Sequence, residues 1–198
     1  SPDYVGSEGS VIEHTVLLGT PCDRYNYQLI QIESSSPRIA NNKLRCGDGS
    51  GIALKVTDWD GTLTIEDNDM TQQFVLVEVN TKGDSLTFSG NSIIRLELII
   101  GSSNKVDVFV LNVSSNDATW STYIGDSTGI RITCRSVCTG DVSDNTVVID
   151  VGSGYTTGIK IRGDISGLSV VNNKIAGGYY GMDIETINDG PLQISGNL

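Results

Sequence analysis

At 198 residues the chain is long enough for one domain with a continuous core. Thirteen Lys and Arg stand against 24 Asp and Glu, a net charge of −11 that repels phosphate backbones and anionic lipid, so no nucleic-acid partner is expected. No apolar run approaches the roughly 20 residues of a membrane span, so no membrane insertion is expected either.

Helix formers are scarce. The chain has only four alanines (Ala40, Ala53, Ala118 and Ala176), while Val, Ile, Thr, Ser, Asn and Gly abound. β-branched residues fit a pleated surface, and Gly and Asn tolerate positive φ, so the chain reads as nearly all β.

Taken in order, the N-terminus SPDYVGSEGS lacks the basic start and apolar centre of a signal peptide. Residues 1–30 fit the repeat poorly and read as a lead-in or cap, because an uncovered solenoid end invites aggregation. From residue 31 onward one phrase recurs: an apolar residue, two further residues, Asn, one residue, then another apolar residue. Its copies are Ile39…Asn42…Leu44, Ile65…Asn68…Met70, Phe88…Asn91…Ile93 and Val113…Asn116…Ala118. They continue with Val142…Asn145…Val147, Val170…Asn173…Ile175 and Ile194…Asn197. Successive Asn residues are 26, 23, 25, 29, 28 and 24 apart, a spacing too regular to be incidental. The chain stops inside the last copy, which suggests a piece of a longer protein.

Two further phrases sit inside the period. Gly followed by aliphatic-x-aliphatic opens strands at Gly51-Ile52-Ala53-Leu54, Gly129-Ile130-Arg131-Ile132, Gly158-Ile159-Lys160-Ile161 and Gly181-Met182-Asp183-Ile184. Another strand follows Gly61, Gly167 and Gly190. Strands this short do not stand alone, and a period near 25 without a helix leaves no room for a helical crossover. Stacked coils satisfy both constraints, each rising by roughly 4.8 Å and burying one shared core. The predicted fold is therefore all-β: a right-handed parallel β-helix of about seven coils over 31–198, with the Asn residues stacked as a ladder at one turn. A β-sandwich is the rival, but it has no reason to repeat Asn at this interval.

Stacked coils with an Asn ladder, and phrases such as SVVNNKI and LQISGNL, resemble the pectate-lyase-like superfamily of parallel β-helices. Within it, the short, Ser/Thr/Asn/Gly-rich coils look most like bacteriophage tailspike and tail-fibre proteins. The resemblance implies a homotrimer on a virion tail or outside the cell that binds, and in some members degrades, cell-surface polysaccharide. A stand-alone polysaccharide lyase or glycoside hydrolase and a non-catalytic stalk stay open beside it.

Aligning the Gly-aliphatic strands puts Arg131 over Lys160, Lys160 over Asp183, and Arg162 over Glu185. A lyase needs a cation against a uronate and a base for the adjacent proton. A hydrolase needs two carboxyl groups at a set separation, and Asp183 and Glu185 lie about 7 Å apart along one strand. Asp183, Glu185, Lys160 and Arg162 are thus the candidate catalytic residues, with Arg131 as a binding residue. Ordinary cross-strand ion pairing on a solvated sheet explains the same residues. A second candidate binding site is the turn Asp58-Trp59-Asp60, where an aromatic face between two acids suits a sugar ring, as it also suits a plain turn.

His14 is the single histidine, so a Ser-His-Asp triad has almost nothing to rest on. No His/Cys cluster has zinc spacing, and no resident metal or cofactor is expected. Calcium is the weak exception, with Asp58, Asp60, Asp67 and Asp69 near turns but not in calcium-loop spacing. Cys22 and Cys46 are one period apart, Cys134 and Cys138 four residues apart. Buried thiols and disulfides are both compatible with that placement.

Overall fold

The computed structural model describes residues 3–5, 11–19, 28–32, 36–46, 52–56, 60–79, 82–101, 108–120, 127–150, 155–186 and 190–198. After Asp3–Val5 (β1) the strands come as coils. The first two are Val11–Glu13 (β2), Val16–Gly19 (β3), Gln28–Ile32 (β4), then Arg38–Ala40 (β5), Lys43–Cys46 (β6), Ile52–Val56 (β7). In the next two coils the second and third strands run together: Asp60–Glu66 (β8), Asp69–Val79 (β9), then Lys82–Ser89 (β10), Ser92–Ile100 (β11). Three full coils follow: Val108–Ser114 (β12), Asp117–Trp120 (β13), Ser127–Cys134 (β14); Val137–Ser143 (β15), Thr146–Ile149 (β16), Thr156–Gly163 (β17); and Leu168–Val171 (β18), Lys174–Gly177 (β19), Tyr180–Thr186 (β20). Gln193–Ser195 (β21) begins the next.

Each strand pairs in parallel with its counterpart one coil away. One ladder runs β2-β5-β8-β10-β12-β15-β18-β21, and the others form a second, branched sheet. The chain is a parallel β-helix, all β and without a helix among the described residues. Among the described residues all strand pairings are parallel, which removes the hairpin-built sandwich. The ladders also reach back before residue 31: Ile12 is in register with Ile39, and Leu17 with Leu44. There the ladder position holds Thr15, whose N–H donates to Asn42 Oδ1 at 2.9 Å across 27 residues.

Alternation puts every second side chain inside. The columns Ile39, Ile65, Phe88, Val113, Val142, Val170 and Leu54, Leu96, Ile130, Ile159 are buried and belong to one core. A fully buried Ile, Leu or Val is worth about 1.5–3 kcal/mol, and stacking like on like lets each coil bury its neighbours.

The predicted Asn ladder is continuous from Asn42 to Asn197. Each Oδ1 accepts both the backbone N–H and an Nδ2–H of the Asn one coil earlier, as Asn68 Oδ1 does from Asn42 at 3.0 Å each. Each Nδ2 also donates back to the apolar residue of the previous coil, as Asn68 does to the Ile39 carbonyl at 2.9 Å. Six of these amides, Asn42 to Asn173, are buried. The residue before each ladder Asn is left-handed: Asn41, Asp67, Gly90, Ser115, Asp144, Asn172 and Gly196 have φ between 53° and 65°. Only Gly and small polar residues enter that region at low cost, and those are the types found there.

Cys134 and Cys138 form a disulfide with Cα atoms 6.0 Å apart, spanning the corner between β14 and β15. The same corner one coil on is held by backbone: Asp164 N–H donates to the Cys134 carbonyl, and the Asp164 carbonyl accepts from Cys138. Cys22 lies outside the described residues.

Candidate functional site

The third strands of successive coils build the face that carries the charged candidates. On β14, β17 and β20 the residues Ile130, Ile132, Ile159, Ile161, Met182 and Ile184 turn inward, so Arg131, Lys160, Arg162, Asp183 and Glu185 turn outward. The registers are those expected: Arg131 beside Lys160, Lys160 beside Asp183, Arg162 beside Glu185. One coil earlier β11 extends the column, because Glu97 is in register with Arg131.

Ion pairs link the strip. Lys160 Nζ lies 2.7 Å from Asp183 Oδ2, and Arg162 Nη2 lies 2.8 Å from Glu185 Oε1 and 4.0 Å from Asp183 Oδ2. Arg131 and Arg95 approach Glu97 at 3.7 and 3.5 Å. The Lys160 side chain is only 16 % exposed, whereas Glu185 is 55 % exposed. Exposed pairs of this kind contribute at most about 1 kcal/mol each.

The order of charge along the column is Glu97, Arg131, Lys160, Asp183, so two cations stand side by side at its centre. Like charges on neighbouring strands repel, and pairing for stability alone would alternate them. Arg38 on β5 shows the alternating arrangement on another face, reaching Glu13 on one side and Glu66 on the other. Among the described side chains of β11, β14, β17 and β20 there are four cations (Arg95, Arg131, Lys160, Arg162) and three carboxylates (Glu97, Asp183, Glu185), the reverse of the balance of the chain as a whole.

The second candidate does not join it. Asp58 and Trp59 lie outside the described residues. Asp60 begins β8, beside Lys82 of β10, in the other sheet and four coils before β20, roughly 19 Å along the axis. No three His, Cys, Asp or Glu side chains converge on a metal position among the described residues. Asp69 instead accepts from Thr71, through N–H at 3.2 Å and the hydroxyl at 2.9 Å.

Arg95 and Glu97 escaped the sequence reading because β11 opens without the Gly that marked the other third strands. Its alternation, Leu96-Glu97-Leu98-Ile99-Ile100, was the available signal. Tyr179 and Tyr180 stand where β19 turns into β20. Both are exposed, as is Tyr155.

Comparison with protein-family models, curated proteins and solved structures found no match to this chain. The class that fold and site define is a parallel β-helix with a charged outer strip.

Proposed function

We propose that this chain recognises an acidic cell-surface polysaccharide through the strip from Glu97 to Glu185, in the manner of a phage tailspike or tail fibre. The observation that carries the reading is the Arg131–Lys160 adjacency on a chain of net charge −11. Arg131 pairs with Glu97 and Lys160 with Asp183 on the neighbouring strands to either side, and a carboxylate or phosphate of a glycan can bridge the two cations. The rest of the acidic surface then limits where such a glycan settles. A parallel β-helix is compatible with this role, offering a long flat face with one side chain per coil in each column.

Asp183 and Glu185 are already engaged by Lys160 and Arg162, an arrangement that favours binding over turnover. Cleavage through this pair is tested by Asp183→Asn, which abolishes depolymerisation if the pair is catalytic. The Cys134–Cys138 bridge supports a place outside the cell or on a virion, where disulfides persist.

The test is binding to an array of purified bacterial capsular and O-antigen polysaccharides. Wild type is expected to bind at least one acidic member. The double variant Arg131→Ala/Lys160→Ala is expected to lose about tenfold or more in affinity, together with most of the salt dependence. A wild-type chain that binds no acidic polysaccharide, or a double variant that binds as tightly as wild type, rejects the reading. The tailspike form of the proposal also expects a homotrimer, so light scattering should return three times the 21.1 kDa of one chain. A monomer mass would leave a self-contained binding module.

A further inference from the structure

The centre of the charged strip is a square of four outward side chains. Arg131 and Thr133 alternate with buried Ile132 on β14, and Lys160 and Arg162 alternate with buried Ile161 on β17. The register puts Arg131 beside Lys160 and Thr133 beside Arg162. Three cations and one hydroxyl therefore meet over about 5 by 7 Å, one strand spacing by two residues.

Carboxylates border the square on both sides. Toward β11 stands Glu97, in register with Arg131 and 3.7 Å from its guanidinium. Toward β20 stand Asp183 and Glu185, in register with Lys160 and Arg162 and 2.7 and 2.8 Å from them. In these two columns, among β11, β14, β17 and β20, the cations occupy β14 and β17 alone. Arg95 lies outside the two columns and pairs with Glu97 at 3.5 Å. Glu97 and Asp183 stand three strand spacings apart, about 14 Å.

The borders act on a glycan lying along the solenoid axis in two ways. They repel a second anion, and the Glu97 and Asp183 side chains, only 20 % and 30 % exposed, are poorly screened by water. They also attract hydroxyls. An ionised carboxylate has about four lone-pair sites, so one held by Arg or Lys keeps others for a sugar O–H. A sugar ring is about as long as one strand spacing, so in a polymer acidic on every ring the groups beside the central one fall against these borders. We infer that Glu97 and Asp183 set the specificity of the strip. It takes an isolated anionic group with uncharged, hydroxyl-bearing sugars on either side, and it refuses a glycan acidic on every ring. The inference rests on the polysaccharide reading above and narrows its ligand to repeats that carry one acid among several neutral sugars.

The test compares two classes of probe at about 0.15 M NaCl. One is a set of capsular polysaccharides with a single uronate in a repeat of several sugars. The other is alginate, a polyuronate with a carboxylate on every ring. Wild type is expected to bind at least one of the first class about tenfold or more tighter than alginate. Glu97→Gln/Asp183→Asn keeps the side-chain shapes and removes the charges. That double variant is expected to bind alginate about tenfold more tightly than wild type does and to lose the preference. Glu97→Gln alone, on a strand paired on both sides, should shift the preference in the same direction. A wild type that binds alginate as tightly as every sparsely charged polysaccharide overturns the inference and leaves the strip reading standing. A double variant that keeps the wild-type preference overturns it equally, since the two carboxylates are then ion-pair partners and nothing more. A wild type that binds no acidic polysaccharide removes both proposals together.

Discussion

Asn116→Ala is expected to destabilise the fold by roughly 3–5 kcal/mol. Asn116 Oδ1 accepts the Asn91 N–H at 3.0 Å and Asn91 Nδ2 at 3.2 Å. Its Nδ2 donates to the Phe88 carbonyl and to Asn145 Oδ1, both at 2.9 Å. Alanine removes all four bonds at once, each worth about 0.5–1.5 kcal/mol net, and strands the buried Asn91 N–H at a further cost of about 1–3 kcal/mol, while Asn91 Nδ2 keeps the Ile65 and Ser89 carbonyls. The bond from the Asn116 N–H to Asn145 Oδ1 survives, so damage is expected on the N-terminal side of the substitution first. Hydrogen exchange should show the Asn91 amide losing protection ahead of the Asn145 amide. Asn112→Ala, on the exposed side of β12, serves as the control and should stay within about 0.5 kcal/mol of wild type. Urea unfolding that finds the two alanine variants equally stable would remove the ladder from the account of what holds the coils together.

Gly163→Ala should cost roughly 3 kcal/mol or more for a different reason. Gly163 ends β17 with φ of 108°, outside the range that L side chains adopt without strain. A Cβ there would lie 1.7 Å from the Cys134 carbonyl oxygen and 2.7 Å from its carbon. That carbonyl has little freedom to retreat. It accepts the Asp164 N–H at 3.2 Å, and Cys134 is bridged to Cys138. The alanine therefore has to push one coil off the next at a corner closed by covalent and hydrogen bonds. Gly181→Ala is the matched comparison. Nothing lies within 4 Å of a Cβ at Gly181, so its melting temperature should hardly move. Equal melting temperatures for the two variants would contradict the close approach at the corner.

The architecture was legible because its causes are local and periodic. An Asn that must bond to its counterpart one coil away recurs at one coil's length, and inward Ile, Leu and Val must alternate with outward residues in every strand. Composition alone removed helices, and the shared Gly-aliphatic phrase was enough to place Arg131, Lys160 and Asp183 in one column. The same method missed Arg95 and Glu97, where β11 lacks that glycine, and it did not extend the repeat to Thr15, where the Asn is replaced. It also could not see that the residue before each ladder Asn is left-handed, since Asn, Asp, Ser and Gly at that position look like ordinary turn residues.

What only the tertiary structure decided is which side chains meet. The outward column and the Lys160–Asp183 pairing could be read from the sequence, but not that Arg131 faces Glu97. Loop lengths between coils set those registers, and they vary from coil to coil. The corner before β20 depends on Gly177 and Gly178, whose positive φ folds Tyr179 back onto Thr156, a contact 23 residues away in sequence. Periodicity states that neighbouring coils stack. The geometry of each corner determines which groups the stacking brings within reach of a ligand.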